Sequence, residues 1–121
     1  MSITIGKELK YKIMELNLIE LTHKYFNLFL SKNPKGLEEL YSEDITLTDW
    51  NGQWKGRLAV LEMNENLFNN EFHLKIDEVR ISGNRTYGHI QLEIGGANLK
   101  IVDVIDWTND GKIKHITAYS G

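Results

Sequence analysis

The sequence predicts an α+β fold in which helices come first and an antiparallel meander of strands follows, one sheet face covering the helices. Three observations lead there. Apolar residues recur at helical spacing through the first part of the chain, and the hydrophobic period falls to two in the second half. The later runs are separated by Gly-Asn, Gly-Gly and Asn-Asp-Gly, which are hairpin signals.

From about Lys7 to Lys32, Met14, Leu18, Leu21, Tyr25 and Leu28 form one stripe, with Ile19, His23, Phe26 and Leu30 beside it. A face that broad must pack on something. "SKNPKGLEELY" restarts the helix, with Asn33 as N-cap and Pro34 in the first helical position. Gly36 weakens this short helix without forbidding it. A strand follows at 45–50, and "NGQWKG" reads as a loop with turn chemistry. "RLAVLEMNENLF" gives a third helix, with Val60, Met63 and Leu67 on one face and Leu61 and Phe68 adjoining. The runs "EFHLKIDEVRI", "RTYGHIQLEI", "NLKIVDVIDW" and "KIKHITAY" are the strands of the meander. No internal repeat or linker divides the chain, so residues 1–121 are expected to form a single domain.

Composition excludes several classes of function. With no cysteine, the chain can build neither disulfides nor thiolate chemistry. A formal charge of −3, with lysines scattered among acids, does not supply the basic stripe that a nucleic-acid surface needs. The opening "MSITIGKELKYK" lacks the pattern of a secretory signal, and no apolar run reaches membrane-span length. A cytoplasmic protein that binds neither nucleic acid nor membrane is the expectation.

Three polar groups fall on apolar sides. In "ITLTDWNG", Ile45, Leu47 and Asp49 share one side of an extended strand, so the apolar side ends in a carboxylate. In the third long strand, Leu99, Ile101, Asp103, Ile105 and Trp107 share the side with continuous bulk. Asp103 is therefore a second inward carboxylate, and Asp106 points outward with Lys100. Tyr25 places a phenol in the main stripe of the first helix, where a buried hydroxyl generally finds a partner. Taken singly, each has an ordinary structural explanation: an Asp near a strand end can bond the amides of the next loop, and Tyr25 can be a core residue with a wet tip. Two carboxylates in one core need several separate partners, which makes a shared polar site the sharper reading.

The order of elements, with "YFNLFLSKNPKGLEELYSEDITLTDW" and "DVIDWTNDGKIKHITAY", resembles the nuclear-transport-factor-2-like superfamily, and within it ketosteroid isomerases and SnoaL-like polyketide cyclases. The likeness covers nearly the whole chain from about residue 14. It implies a cone-shaped roll, three N-terminal helices packed in a curved, mostly antiparallel sheet. Tyr25 matches the isomerases' oxyanion-hole tyrosine, Asp49 their general base and Asp103 the aspartic acid that donates a hydrogen bond to the oxyanion. Trp50 stands where the isomerases tend to have proline and Ser120 where an aromatic pocket residue is expected, so the native ligand is expected to differ from a steroid.

The resemblance implies a cofactor-independent isomerase or cyclase that removes a proton next to a carbonyl of a small hydrophobic ligand. A neutral catalytic Asp of this kind is a known arrangement, ketosteroid isomerase itself being the standard case. Phe29, Trp50, Trp54, Met63, Leu92, Trp107 and Ile116 are candidate walls for a flat apolar ligand, although the same residues suit a packed core. No histidine pair has the spacing of a zinc helix motif, and no metal is expected. Two other functions stay open: a non-catalytic ligand-binding or assembly module of the same fold, and a dehydratase that pairs His23 with an acid. Val102 and Val104 among His89, Gln91, His115, Thr117 and Tyr119 make a mixed outer sheet face suited to a homodimer.

Overall fold

Helix α1 spans Ile3–Leu30 in a computed structural model that describes residues 3–121, with side chains from residue 8 onward. The helix begins about a turn earlier than the periodicity predicts and stops two residues sooner. Lys32 takes a left-handed conformation (φ 53°), which lets the Asn33 N–H reach back to the Leu28 carbonyl at 3.0 Å and closes the helix. Of the two expected stripes, the one through Leu18 and Tyr25 is buried and Phe26 joins it, whereas His23 and Leu30 face solvent. The inward face is narrower than its apolar content suggested.

Helix α2, Pro34–Leu40, starts as expected: the Asn33 side-chain oxygen accepts the Gly36 N–H at 3.0 Å, and Pro34 fills the first turn. Gly36 has a packing role. A Cβ there would lie 2.5 Å from a methyl of Leu28, so the missing side chain lets α2 close onto α1. Helix α3, Arg57–Phe68, buries Val60 and Asn64.

Six strands follow one order, β2-β1-β6-β5-β4-β3, where β1 is Tyr41–Asp49, β2 Gly52–Lys55, β3 Phe72–Ser82, β4 Arg85–Ile94, β5 Ala97–Trp107 and β6 Ile113–Ser120. All neighbours are antiparallel except β1 and β6, which run parallel. The result is three helices against a mixed, curved sheet, the α+β arrangement anticipated above. The strand expected at 45–50 is longer and begins at Tyr41. The segment read as a loop, "NGQWKG", contains β2, because the free edge of β1 offers unpaired backbone groups and a tight Trp50-Asn51 turn brings the chain back along it. Such an edge strand depends on its neighbour, and four residues carry little pattern of their own.

Leu18, Phe26, Leu37, Tyr41, Ile45, Val60, Ile105 and Ile113 belong to one core between helices and sheet. Strand β5 follows the expected alternation: Ile101, Asp103, Ile105 and Trp107 are buried, while Lys100, Val102, Val104 and Asp106 lie on the other face. Asp106 forms an ion pair there with Arg85, with N–O distances of 2.6 and 3.2 Å. Among the described residues no helix is long and apolar enough to cross a membrane.

Candidate active site

The inner face of the sheet carries the site. Asp103 sits on β5 between Gly88 of β4 and Ala118 of β6, so both cross-strand neighbours are small. The ring of Phe26 fills the space above Gly88, where a Cβ would meet it at 2.5 Å. Beside Phe26, which forms part of its wall, a cavity of about 90 Å³ remains. Tyr25 and Phe29 of α1, Leu47 and Asp49 of β1, Met63 and Asn64 of α3 and Asp103 are among its walls. Trp50, half exposed, stands beside it in the β1–β2 turn.

Three polar positions singled out in the sequence thus meet at one hollow. Tyr25 and Asp103 are 3 % and 8 % exposed. Burial first, and the nearby charge of Asp49 second, together raise the Asp103 carboxyl from 3.8 to about 7. No hydrogen bond among the described residues offsets these effects, so the neutral acid is a populated form near neutral pH. The Tyr25 phenol is also pushed well upward, by burial first and then by the phenol of Tyr41 and the carboxyl of Asp103. It is a donor throughout the physiological range.

Asp49 both holds the turn and faces the cavity. Its Oδ1 accepts the backbone N–H groups of Asn51 at 2.7 Å and Gly52 at 3.2 Å, which pins the hairpin turn. The same side chain lines the cavity. A carboxylate held at one oxygen by the backbone is fixed in direction, which a proton acceptor needs.

Of the expected walls, Phe29, Trp50, Met63, Leu92 and Ile116 line the cavity and two do not. Trp107 belongs to the core at the other end of β5, where its Nε1–H donates to the Thr86 hydroxyl at 2.9 Å. Trp54 shares the inner face with Leu47, its partner across the hairpin, but stands one strand farther out on β2. Strand parity names the face of a side chain and says nothing about its distance from the site. The pairing of His23 with Asp49 is overturned: His23 is exposed on the outer side of α1 and lies outside the cavity wall.

Two residues of the site had no part in the sequence reading. Tyr41, at the start of β1, is 1 % exposed and donates its hydroxyl proton to Oδ1 of Asn64 at 2.6 Å. Asn64 is itself 1 % exposed. The signal was present in α3, where Asn64 follows Val60 by four residues and so falls on the buried stripe. Among the described residues no group of three or more His, Asp or Glu could hold a metal ion.

A roll of three helices in a curved sheet is the architecture of nuclear-transport-factor-2-like proteins. Residues 22–116 match the model of the SnoaL-like domain, and the chain belongs to that family. No curated protein matches the sequence at a significant level. Among solved structures, the chain is similar to a candidate ketosteroid isomerase from Kribbella flavida (TM-score 0.81, 17 % identity, 88 % of this chain and 79 % of that one). It is also similar to an LEH-like epoxide hydrolase of M. tuberculosis (TM-score 0.75, 14 % identity, 89 % and 85 % covered). A third structure, from Silicibacter pomeroyi and described as having a cystatin-like fold, gives a TM-score of 0.75 at 14 % identity, with 85 % and 74 % covered. At such identities the likeness is one of fold.

Proposed function

We propose that this protein is a cofactor-independent isomerase or cyclase that enolises a small, largely apolar carbonyl compound. Asp49 takes a proton from the carbon next to the carbonyl and returns it to another carbon of the same molecule. Tyr25 and neutral Asp103 donate hydrogen bonds to the oxygen that becomes negative. The observation that carries this reading is Asp103: a buried carboxyl without a hydrogen-bond partner among the described residues, raised to about 7, in a cavity shared with Asp49 and Tyr25.

The size of the hollow narrows the ligand. At about 90 Å³ it is smaller than the cavity of roughly 150 Å³ that accepts benzene. The carbonyl and adjoining carbons of a single six-membered ring fit, with the rest of the ring passing under Trp50 at the mouth. A four-ring steroid is too large for the hollow.

Conversion of 3-cyclohexenone to 2-cyclohexenone tests the chemistry, alongside a ¹³C titration of the Asp103 carboxyl. Catalysed conversion lost in Asp49→Asn, with Asp103 titrating near 7, is the expected result. An ordinary carboxylate titration at Asp103 together with no turnover and no saturable ligand binding would remove the proposal's support. The alternative of a non-catalytic module of the same fold predicts ligand binding that survives Asp49→Asn with no turnover in either protein.

For the outer sheet face we propose a homodimer. Tyr119 is 59 % exposed there, beside the partly exposed Val102 and Val104. Sedimentation analysis of the wild type and Tyr119→Lys checks it, a monomer in both being the contrary outcome.

A further inference from the structure

Helix α3 turns a polar residue into the core at one place. Val60 and Asn64 are its two buried residues, four positions apart on the same stripe. An amide there is costly unless its groups are bonded, and it offers two acceptor sites and two N–H donors. Only the oxygen is well served, by the Tyr41 hydroxyl at 2.6 Å. The nitrogen's one partner among the described residues is the sulfur of Met63 at 4.0 Å, a weak contact at most. Both Met63 and Asn64 line the cavity that holds Asp49 and Asp103.

The Tyr41 hydroxyl therefore does more than satisfy a buried oxygen. With the amide oxygen bonded to Tyr41, the NH₂ group is turned to the other side. We propose that Asn64 is a ligand-binding donor, oriented by Tyr41, whose side-chain N–H groups hydrogen-bond an oxygen of the molecule that enters the cavity. The inference deepens the enolisation reading and rests on it. It adds a neutral donor from the helical side, where Asp103 serves from the sheet. A neutral carbonyl, hydroxyl or enolate oxygen matches this set. A purely hydrocarbon head leaves the amide unbonded and is disfavoured. So is a ligand whose carboxylate has to lie beside the Asp49 side chain.

The probe is 4-fluorophenol, whose hydroxyl oxygen stands for the enolate oxygen and whose fluorine reports binding by ¹⁹F NMR. In the wild type, saturation with the probe is expected to shift the Asn64 side-chain ¹⁵N–¹H signals. Asn64→Leu, similar in shape and without the amide, is expected to bind it roughly tenfold more weakly. Tyr41→Phe keeps the donor but frees its orientation, and is expected to lose less. Unmoved Asn64 amide signals at saturation, or unchanged affinity in a folded Asn64→Leu protein, would overturn the proposal. If that variant does not fold, the wild-type amide signals decide alone. The two readings fail differently. A shifted Asn64 amide with an unmoved Asp103 carboxyl sinks the enolisation scheme and keeps the donor, whereas a responding Asp103 with a silent Asn64 does the reverse. Absence of saturable binding to the wild type overturns both.

Discussion

The same three elements, α1, β4 and β5, build both ends of the interior, and the two ends treat buried polar atoms in opposite ways. At one end Trp107 donates to Thr86, the Thr86 and Thr22 hydroxyls pair at 2.8 Å, and Thr22 bonds the Leu18 carbonyl at 2.7 Å. Every member of this relay has a partner. One helical turn along α1 stands Tyr25, two residues along β4 is Gly88, and four residues along β5 is Asp103. There the polar groups face a hollow, and the Asp103 carboxyl has no partner among the described residues. A saturated polar network ties elements together, while an unsaturated one keeps its bonding capacity for something that enters. The contrast separates the two kinds of buried polarity better than burial alone, since Thr22 and Thr86 are more deeply buried than Asp103.

The largest effect that would sharpen the contrast is on chemistry. Asp49→Asn keeps a side-chain oxygen for the Asn51 and Gly52 amides but removes the carboxylate proposed as the base. It is expected to lower turnover of 3-cyclohexenone by about 10²–10⁴-fold with little change in urea midpoint. Comparable turnover in the variant would move the base elsewhere.

Next comes the pH dependence of stability. Because the folded state raises Asp103 from 3.8 to about 7, it holds that proton where the unfolded chain has released it. The stability that this group contributes is complete below about pH 4 and falls as pH rises to about 7, by up to on the order of 4 kcal/mol. Asp103→Asn is expected to flatten that slope and to be the more stable protein at pH 8. Denaturation by urea between pH 4 and 8 measures it, and parallel slopes for the two proteins would refute the assignment. Asp49→Asn should move the Asp103 titration downward only in part, since burial is the larger cause.

Smaller effects test the packing. Gly88→Ala forces a methyl against Phe26, at an expected cost of about 1–3 kcal/mol in urea unfolding. At the saturated end, Trp107→Phe removes one hydrogen bond to Thr86 and is expected to cost about 1 kcal/mol from that bond, leaving the Asp103 titration unchanged. A shifted titration there would show that the two ends are not independent.

Much of the fold was legible because period and turn chemistry are local. The helices, the hairpins and the inward faces of Asp49 and Asp103 all came from spacing alone. The rest depends on what lies across a gap. Strand β2 exists because β1 has a free edge, Trp54 and Trp107 have the right parity at the wrong distance, and His23 lies on the edge of an apolar stripe that the sheet does not reach. Asn64 was overlooked for a different reason: an amide inside an apolar helix face reads as an interruption until its partner, Tyr41, is seen beside it.

Strand β6 lies between β1 and β5, so it separates the two acids along the sheet while joining the strands that carry them. Asp49 and Asp103 come from regions distant in sequence, and the parallel β1–β6 pairing is a long-range contact that forms slowly for entropic reasons. Without the β1–β6 pairing, the helices and the β3–β6 meander would not bring the two acids to one site. Ligand binding during refolding should therefore track the β1–β6 pairing and lag behind the appearance of helix.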